Sequence, residues 1–492
     1  MPTEIVNTIT STITPNDHPY MNGPWTPLHE EVNATDLEVI GQIPTDLDGI
    51  YIRNTENPVH DAIGTYHPFD GDGMIHTMSF RKGQAEYRNR FVQTKGLIAE
   101  AKHGGPLWTG IAGNPDKSLR DGWGARGRMK DGASTDVVVH GGEILATHYM
   151  CGEGYRLDPY SLDTLGTAPW APEEGVSAHP KVDLETGEMM FFNYSKNAPF
   201  MHYGVVGADR KLKHFIPIEL PGPRLPHDMA FTKNYSILVD LPMFWNAELM
   251  EAGFHYPMFH PELPTRFAIV PRYGSVSQIR WFEADPTFVL HWANAYEIGN
   301  EIVLDGYFQE DPDPAPLEIP GVDAGLGKLM ATIDEQSFKP KLHRWRFNLE
   351  TGETREDHLD ERLLEFGTFN QRYAGNPSSR YLYSTTTKPG WFLFSGIVKH
   401  DLKTGDSSSL SFGEERCGSE APFAPRVGAV SEDDGYLVSF ITDMKEKRSE
   451  CIVVDAQQIE AGPVCRIILP HQISSGTHAT WASHDEIKAA GG

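Results

Sequence analysis

A short phrase recurs along this chain: Asp183-Leu-Glu-Thr-Gly-Glu188, Asn348-Leu-Glu-Thr-Gly-Glu353 and Asp401-Leu-Lys-Thr-Gly-Asp406, with a looser echo at Asp158-Pro-Tyr-Ser-Leu-Asp-Thr-Leu-Gly166. An Asp or Asn side chain bonds backbone just downstream of itself, and a glycine reaches positive φ without a Cβ clash, so each phrase reads as a tight reversal. The runs around them, such as Leu342–Phe347, Met189–Asn193 and Gly396–His400, carry the aromatic and β-branched residues that suit half-buried pleated strands. Hairpins of this kind run from about residue 40 to 470 with few long segments of 3.6-residue period, which predicts an all-β propeller of repeated blades. A length of 492 residues would suggest about three domains at ~150 residues each, but propellers routinely exceed that average as one unit. The expected organisation is an N-terminal extension over 1–30 and a single propeller domain over 31–492. Two stretches break the pattern. Met243–Ala252 reads as helical, and Glu310–Gly327 is rich in Pro, Asp and Gly; insertions of this kind on a rigid scaffold build covers over binding sites.

With 68 acidic against 42 basic side chains, the formal net charge of -26 repels a phosphate backbone, so nucleic acid is not an expected partner. No run approaches the ~20 apolar residues of a membrane-spanning helix. Met1–Pro24 has neither the basic start nor the apolar run of a secretory signal, which makes a cytoplasmic location the expectation. Cys151, Cys417, Cys451 and Cys465 show no metal-binding or redox spacing and are expected as reduced, buried thiols.

Histidine is abundant, at 21 residues, and a single histidine in a β-rich segment is more often a hydrogen-bonded structural group than a ligand. Four segments nevertheless stand out: Ala178-His-Pro-Lys-Val-Asp183, Pro226-His-Asp-Met-Ala-Phe-Thr232, Leu290-His-Trp-Ala-Asn-Ala-Tyr-Glu297 and Gly476-Thr-His-Ala-Thr-Trp481. They resemble the four histidine motifs of the carotenoid cleavage oxygenase family, which includes lignostilbene dioxygenases and isoeugenol monooxygenase. Further phrases similar to that family follow in order: Leu47-Asp-Gly-Ile-Tyr-Ile-Arg-Asn54, Phe69-Asp-Gly-Asp-Gly-Met-Ile-His76, Arg266-Phe-Ala-Ile-Val-Pro-Arg272 and Glu420-Ala-Pro-Phe-Ala-Pro-Arg426. The likeness runs from about residue 36 to 482.

The resemblance implies a seven-bladed propeller, capped on its iron-bearing face by long loops and short helices, in which His179, His227, His291 and His478 bind iron(II). Imidazole suits iron, and blades bring ligands tens of residues apart to one axis. Family glutamates fix the ligands' second nitrogens, and Glu365 and Glu420 match two of them. The third departs. In Ala146-Thr-His-Tyr-Met-Cys-Gly-Glu-Gly-Tyr-Arg-Leu-Asp-Pro159, Tyr149 or Met150 falls where the glutamate belongs, with Glu153 nearby, so His227 is expected to lack a carboxylate partner. Phe69, Thr135, His148 and Tyr149 are candidate pocket residues. His67 and His76 flank a phrase read as a structural turn, and a buried Thr135 satisfied by backbone is an equal alternative.

By resemblance, the reaction cleaves an alkene C=C bond with O2 to two carbonyl products, with a small hydrophobic alkene and O2 as partners. The tyrosine and lysine that hold a phenol in stilbene-cleaving members correspond to Ala112 and to His148 or Tyr149, so that anchor is absent. Arg53-Asn-Thr55 and Gly113-Asn-Pro115 lean toward phenylpropenoid or other aryl alkenes, with apocarotenoid cleavage as the alternative. A retinoid-isomerase-like enzyme and a non-catalytic propeller stay open, as does peripheral membrane contact through Pro242–Trp245 and Phe254–Phe259.

Overall fold

The structure is a computed structural model that describes all residues except 1–2, 15–17, 65, 112, 123–128, 246–256, 319–323 and 492. Its strands fall into seven blades. Five are four-stranded antiparallel meanders: Asp136–His140 to Thr164–Thr167, Lys181–Asp183 to Leu212–Glu219, Ala230–Phe231 to Arg280–Ala284, Trp292–Ile298 to Thr354–His358, and Leu364–Thr368 to Ser407–Ser411. The sixth runs Phe423–Pro425, Gly435–Asp443, Arg448–Asp455 and Pro463–Ile468, and takes Val39–Gly41 from the start of the chain as its outer strand. The seventh is completed from the other direction: the C-terminal strand Ala479–Ser483 pairs with Gly49–Arg53, followed outward by Asp72–Arg81, Gln84–Phe91, Glu30–Ala34 and Glu4–Thr8. Early and late segments of the chain are thus paired in both the sixth and the seventh blade.

The recurring phrases are turns of one construction. Asp183 Oδ1 accepts the Glu185 and Thr186 N–H groups at 2.9 and 3.3 Å, and Gly187 sits at φ +71°. Asn348 Oδ1 does the same for Glu350 and Thr351, both at 2.9 Å, with Gly352 at φ +80°. Asp401 Oδ1 serves Lys403 and Thr404, with Gly405 at φ +81°. At the looser echo Asp158 Oδ1 bonds Tyr160 and Ser161, but a buried leucine, Leu162, takes the left-handed position at φ +64°. Asp443-Met-Lys-Glu-Lys447 builds a further copy with no glycine at all. Between blades the cores are aromatic: Phe267, Trp292, Trp345 and Phe347 pack edge to face and tilted across the third and fourth blades.

The helix expected over Met243–Ala252 is not formed at its start. Met243–Trp245 is a strand paired with Pro257–Phe259, and residues 246–252 lie outside the described residues. The physical reason is alternation: Met243 and Trp245 turn inward, while Phe244 stacks on His260 at 3.8 Å with Arg224 4.1 Å above its ring. Phe254, Tyr256 and Ala112 also lie outside the described residues. In the Pro-rich insertion, Ala324–Ala331 is helical, and the chain beyond it leads to Ile333 in the cover. All four cysteines are buried and unpaired with one another. No helix among the described residues is long and apolar enough to cross a membrane.

Candidate metal centre

Chemistry-bearing side chains gather where the innermost strands of the blades begin. His179 lies two residues before Lys181–Asp183, His227 three before Ala230–Phe231, His291 one before Trp292–Ile298 and His478 one before Ala479–Ser483. All four are buried, at 3 to 6% exposure. Ring centroids stand 4.5 to 5.3 Å apart around the cluster, and the Nε2 atoms of His179 and His227 face each other at 3.2 Å. His179, His291 and His478 present nitrogens that all lie within 4.8 Å of one another.

Carboxylates fix the outer nitrogens. Glu365 Oε2 lies 2.8 Å from His291 Nδ1 and also accepts the Phe366 N–H. Glu420 Oε2 lies 3.3 Å from His478 Nδ1 and accepts the Ala479 N–H at 2.6 Å. With Nδ1–H directed at a carboxylate, the Nε2 lone pair is left pointing inward, and buried His291 Nε2 has no hydrogen-bond partner. Burial, reinforced by the neighbouring imidazoles, holds His179 and His291 well below the usual histidine range and His227 down to about 3. His478 is raised: burial opposes its charge, but Glu420 beside it outweighs that. Converging imidazoles, three of them held neutral by burial, suit a borderline transition-metal cation.

Among the described residues, His227 is hydrogen-bonded only to His179. Glu153 offers it nothing, because its carboxylate is spent on Lys95 at 2.5 Å and on the Tyr155 hydroxyl. Met150 packs instead into an apolar cluster, with its sulfur 3.8 Å from the Tyr194 hydroxyl. Asp136, not singled out in the sequence, stands beside the cluster: its Oδ2 lies 3.4 Å from His179 Nδ1 and accepts the His179 N–H at 3.0 Å.

Aromatic rings lead away from the imidazoles. Phe366, in the left-handed region at φ +50°, stacks on His478 at 4.5 Å and 12°. Phe392 lies 5.2 Å from Phe366, Phe69 lies 5.9 Å from Phe392, and Tyr149 lies 4.5 Å from Phe69. Of the predicted pocket residues, Phe69 and Tyr149 thus belong to this aromatic run, and His148 follows beside Tyr149 at 5.2 Å. Thr135 is buried with its hydroxyl accepting the Tyr149 N–H. Sequence motifs did not signal Phe366 or Phe392. A cavity of about 540 Å³ follows the inner strands from His179, His291 and His478 to the C-terminal helix His484–Gly491, a volume within the range of small-molecule sites.

The Phe69 phrase is a capped turn: His67 Nδ1 accepts the Phe69 N–H at 3.1 Å, and Asp70 Oδ2 accepts the His67 N–H at 2.8 Å. Burial drives His67 down to about 3, whereas an unfolded histidine titrates near ~6.5. Between those values the unfolded state binds more protons, so stability falls as pH falls through the window. His67→Asn keeps a cap acceptor without this titration. Its melting temperature is expected to fall less than that of wild type between about pH 6.5 and 4; equal losses in paired thermal melts would remove His67 as a cause.

The family model described as retinal pigment epithelial membrane protein matches residues 25–483. The carotenoid 9,10(9',10')-cleavage dioxygenase 1 of Pisum sativum is 32% identical over 96% of this chain and 91% of its own length. The isoeugenol monooxygenase of Pseudomonas nitroreducens is 30% identical over 94% of this chain and 98% of its own. Among solved structures, the Pseudomonas brassicacearum lignostilbene dioxygenase superposes with a TM-score of 0.85 at 26% identity, covering 96% of this chain and 100% of that one.

Proposed function

This chain belongs to the carotenoid cleavage oxygenase family and is a dioxygenase acting on carbon–carbon double bonds; from that premise we propose that iron(II) is its metal, held by His179, His227, His291 and His478, and that a short aryl alkene is its substrate. The family is dependent on non-haem iron, and the buried histidine triad fits such an ion. What supports iron at this site is the donor set: imidazole nitrogens with no carboxylate among them, each approached from a separate blade. The ion supplies activation of O2, chemistry that no side chain provides.

The protein's own part is positional. Glu365 and Glu420 hold their imidazoles in the tautomer that leaves Nε2 free, and burial keeps water from the reacting carbons. O2 adds across the alkene and each carbon leaves as a carbonyl, so the atoms balance without an external reductant. The observation that carries the aryl assignment is the run of aromatic rings from Phe366 through Phe392 and Phe69 to Tyr149, set edge-on and tilted at 4.5 to 5.9 Å, an arrangement that suits contact with another aromatic ring. We place this activity in the cytoplasm.

The test is aldehyde release by the iron-reconstituted protein from isoeugenol, 4-vinylguaiacol and apocarotenals under ¹⁸O2. Turnover of the phenylpropenoids with label in product is the expected result. Release from apocarotenals alone would move the substrate to that class, which the similarity to plant carotenoid dioxygenases favours. Product without label would point to ester cleavage and isomerisation.

A further inference from the structure

Each of the seven blades contributes one group to the ring around the histidine cluster. In order they are Asp136, His179, His227, His291, Glu365, Glu420 and His478, all at or just before the start of an innermost strand. Three of these groups are carboxylates, and each reaches the imidazole on a neighbouring blade. Glu365 of the fifth blade meets His291 of the fourth, Glu420 of the sixth meets His478 of the seventh, and Asp136 of the first meets His179 of the second.

The three contacts share one construction. A single carboxylate oxygen is divided between an imidazole Nδ1 and a backbone N–H: Phe366 for Glu365, Ala479 for Glu420, and His179 itself for Asp136. The Nδ1 distances of 3.3 Å at Glu420 and 3.4 Å at Asp136 are alike. Asp136 is also fixed from its other side, since Oδ1 accepts the Val137 N–H at 2.7 Å. His179 occupies the left-handed region at φ +65°, which a non-glycine residue holds only when its surroundings impose it, and the Asp136 bond to its N–H is one such restraint.

We propose that Asp136 is the third carboxylate of the metal centre: a positioning residue that orients the His179 imidazole, so that the chain keeps three carboxylates for four ligands and leaves His227 as the ligand without one. This rests on the four-histidine reading of the site. The position where a glutamate was expected, Tyr149 or Met150, is turned to other uses, with Met150 packed against Tyr194, and the carboxylate is supplied by a shorter side chain on the inner strand of the same blade. An aspartate suffices there because it starts the neighbouring inner strand, where the backbone already stands close to His179.

Cobalt(II) is the probe, with dissociation constants read by chelator competition and the ligand field read from the visible spectrum. Asp136→Asn is expected to bind cobalt(II) about 10- to 100-fold more weakly than wild type, with a changed spectrum, and Glu365→Gln to lose a similar factor. Asp136→Glu is expected to recover part of the loss. If wild type binds no cobalt(II), the metal-centre reading itself fails. If wild type binds and folded Asp136→Asn matches it in affinity and spectrum, the centre stands and the role of Asp136 is overturned. Should Asp136→Asn not fold, the zinc-loaded wild type with ¹⁵N-labelled histidine decides: three protected, downfield Nδ1 protons among the ligands support the assignment, and two overturn it.

Discussion

Replacing His291 with alanine is expected to abolish stoichiometric iron(II) binding and to lower kcat/KM for alkene cleavage by more than about a thousandfold, equivalent to ~4 kcal/mol of transition-state stabilisation. His291 sits at the centre of the geometry: its ring lies 4.5 Å from His478, 5.2 Å from His179 and 5.3 Å from His227, and its Nε2 is buried without a partner. It also holds the shortest imidazole–carboxylate contact of the cluster, 2.8 Å to Glu365, whose own burial raises its pKa well above the carboxylate range. Removing the ring strips one donor and leaves Glu365 Oε2 with only the Phe366 N–H. Bound metal stabilises the native state by mass action, so iron is expected to raise the melting temperature of wild type but not of His291→Ala. Metal analysis after anaerobic reconstitution, with thermal melts on the same samples, checks both statements. One iron per chain and normal turnover in the folded variant would remove His291 from the ligand set.

The second large effect lies in a buried ion cluster. Lys130→Met is expected to destabilise the protein by about 3–5 kcal/mol, because it breaks the cluster by removing the ammonium shared by two carboxylates. Lys130 Nζ stands 2.7 Å from Asp72 Oδ1 and 2.7 Å from Glu100 Oε2, whose side chains are 1% and 3% exposed. Through these contacts it ties the helix Lys95–His103 to the strand Asp72–Arg81, directly beside the Gly73 N–H bond to Gly132 that leads into the inner strand bearing Asp136. Methionine fills similar volume but leaves both buried carboxylates without their ammonium, Asp72 keeping only the Val59 N–H and Glu100 the Leu107 N–H among the described residues. Burial already raises the pKa of Asp72. Without the ammonium the native state of the variant holds that proton more firmly than the unfolded chain does, so its stability drops as pH rises and its deficit narrows toward acid. Urea unfolding of both proteins at pH 5 and pH 8 measures this, and an equal deficit at both values would show that lost packing, not stranded charge, is responsible.

Much of this was legible in the sequence because its signals are local. The Asp183, Asn348 and Asp401 turns depend on a side chain reaching two residues on and a glycine four residues on, and the structure builds them that way. The echo at Asp158 was legible as a turn but not in its left-handed residue, since Leu162 adopts φ +64° only under burial that the surrounding blade supplies. The four histidine segments could be singled out because each resembles a family histidine motif; a lone histidine carries no local mark of a ligand, and that each one opens an inner strand is seen only in the fold. The start of the segment at Met243 misled because a run of large apolar residues satisfies a helix or a strand equally, and pairing with Pro257–Phe259 decided for the strand.

The sequence by itself determined the all-β class and the repeated turns, since hydrophobic alternation and turn chemistry are properties of neighbouring residues, and its resemblance to a known family pointed to the histidines that converge. Only the tertiary structure decided which carboxylate meets which imidazole and which rings cover them. Asp136 and His179 are 43 residues apart, and Glu420 and His478 are 58 apart; their 3.4 and 3.3 Å approaches arise from the angle between adjacent blades and from the pairing of early with late segments of the chain. No local pattern encodes that angle, because it is set by the packing of large buried side chains between sheets.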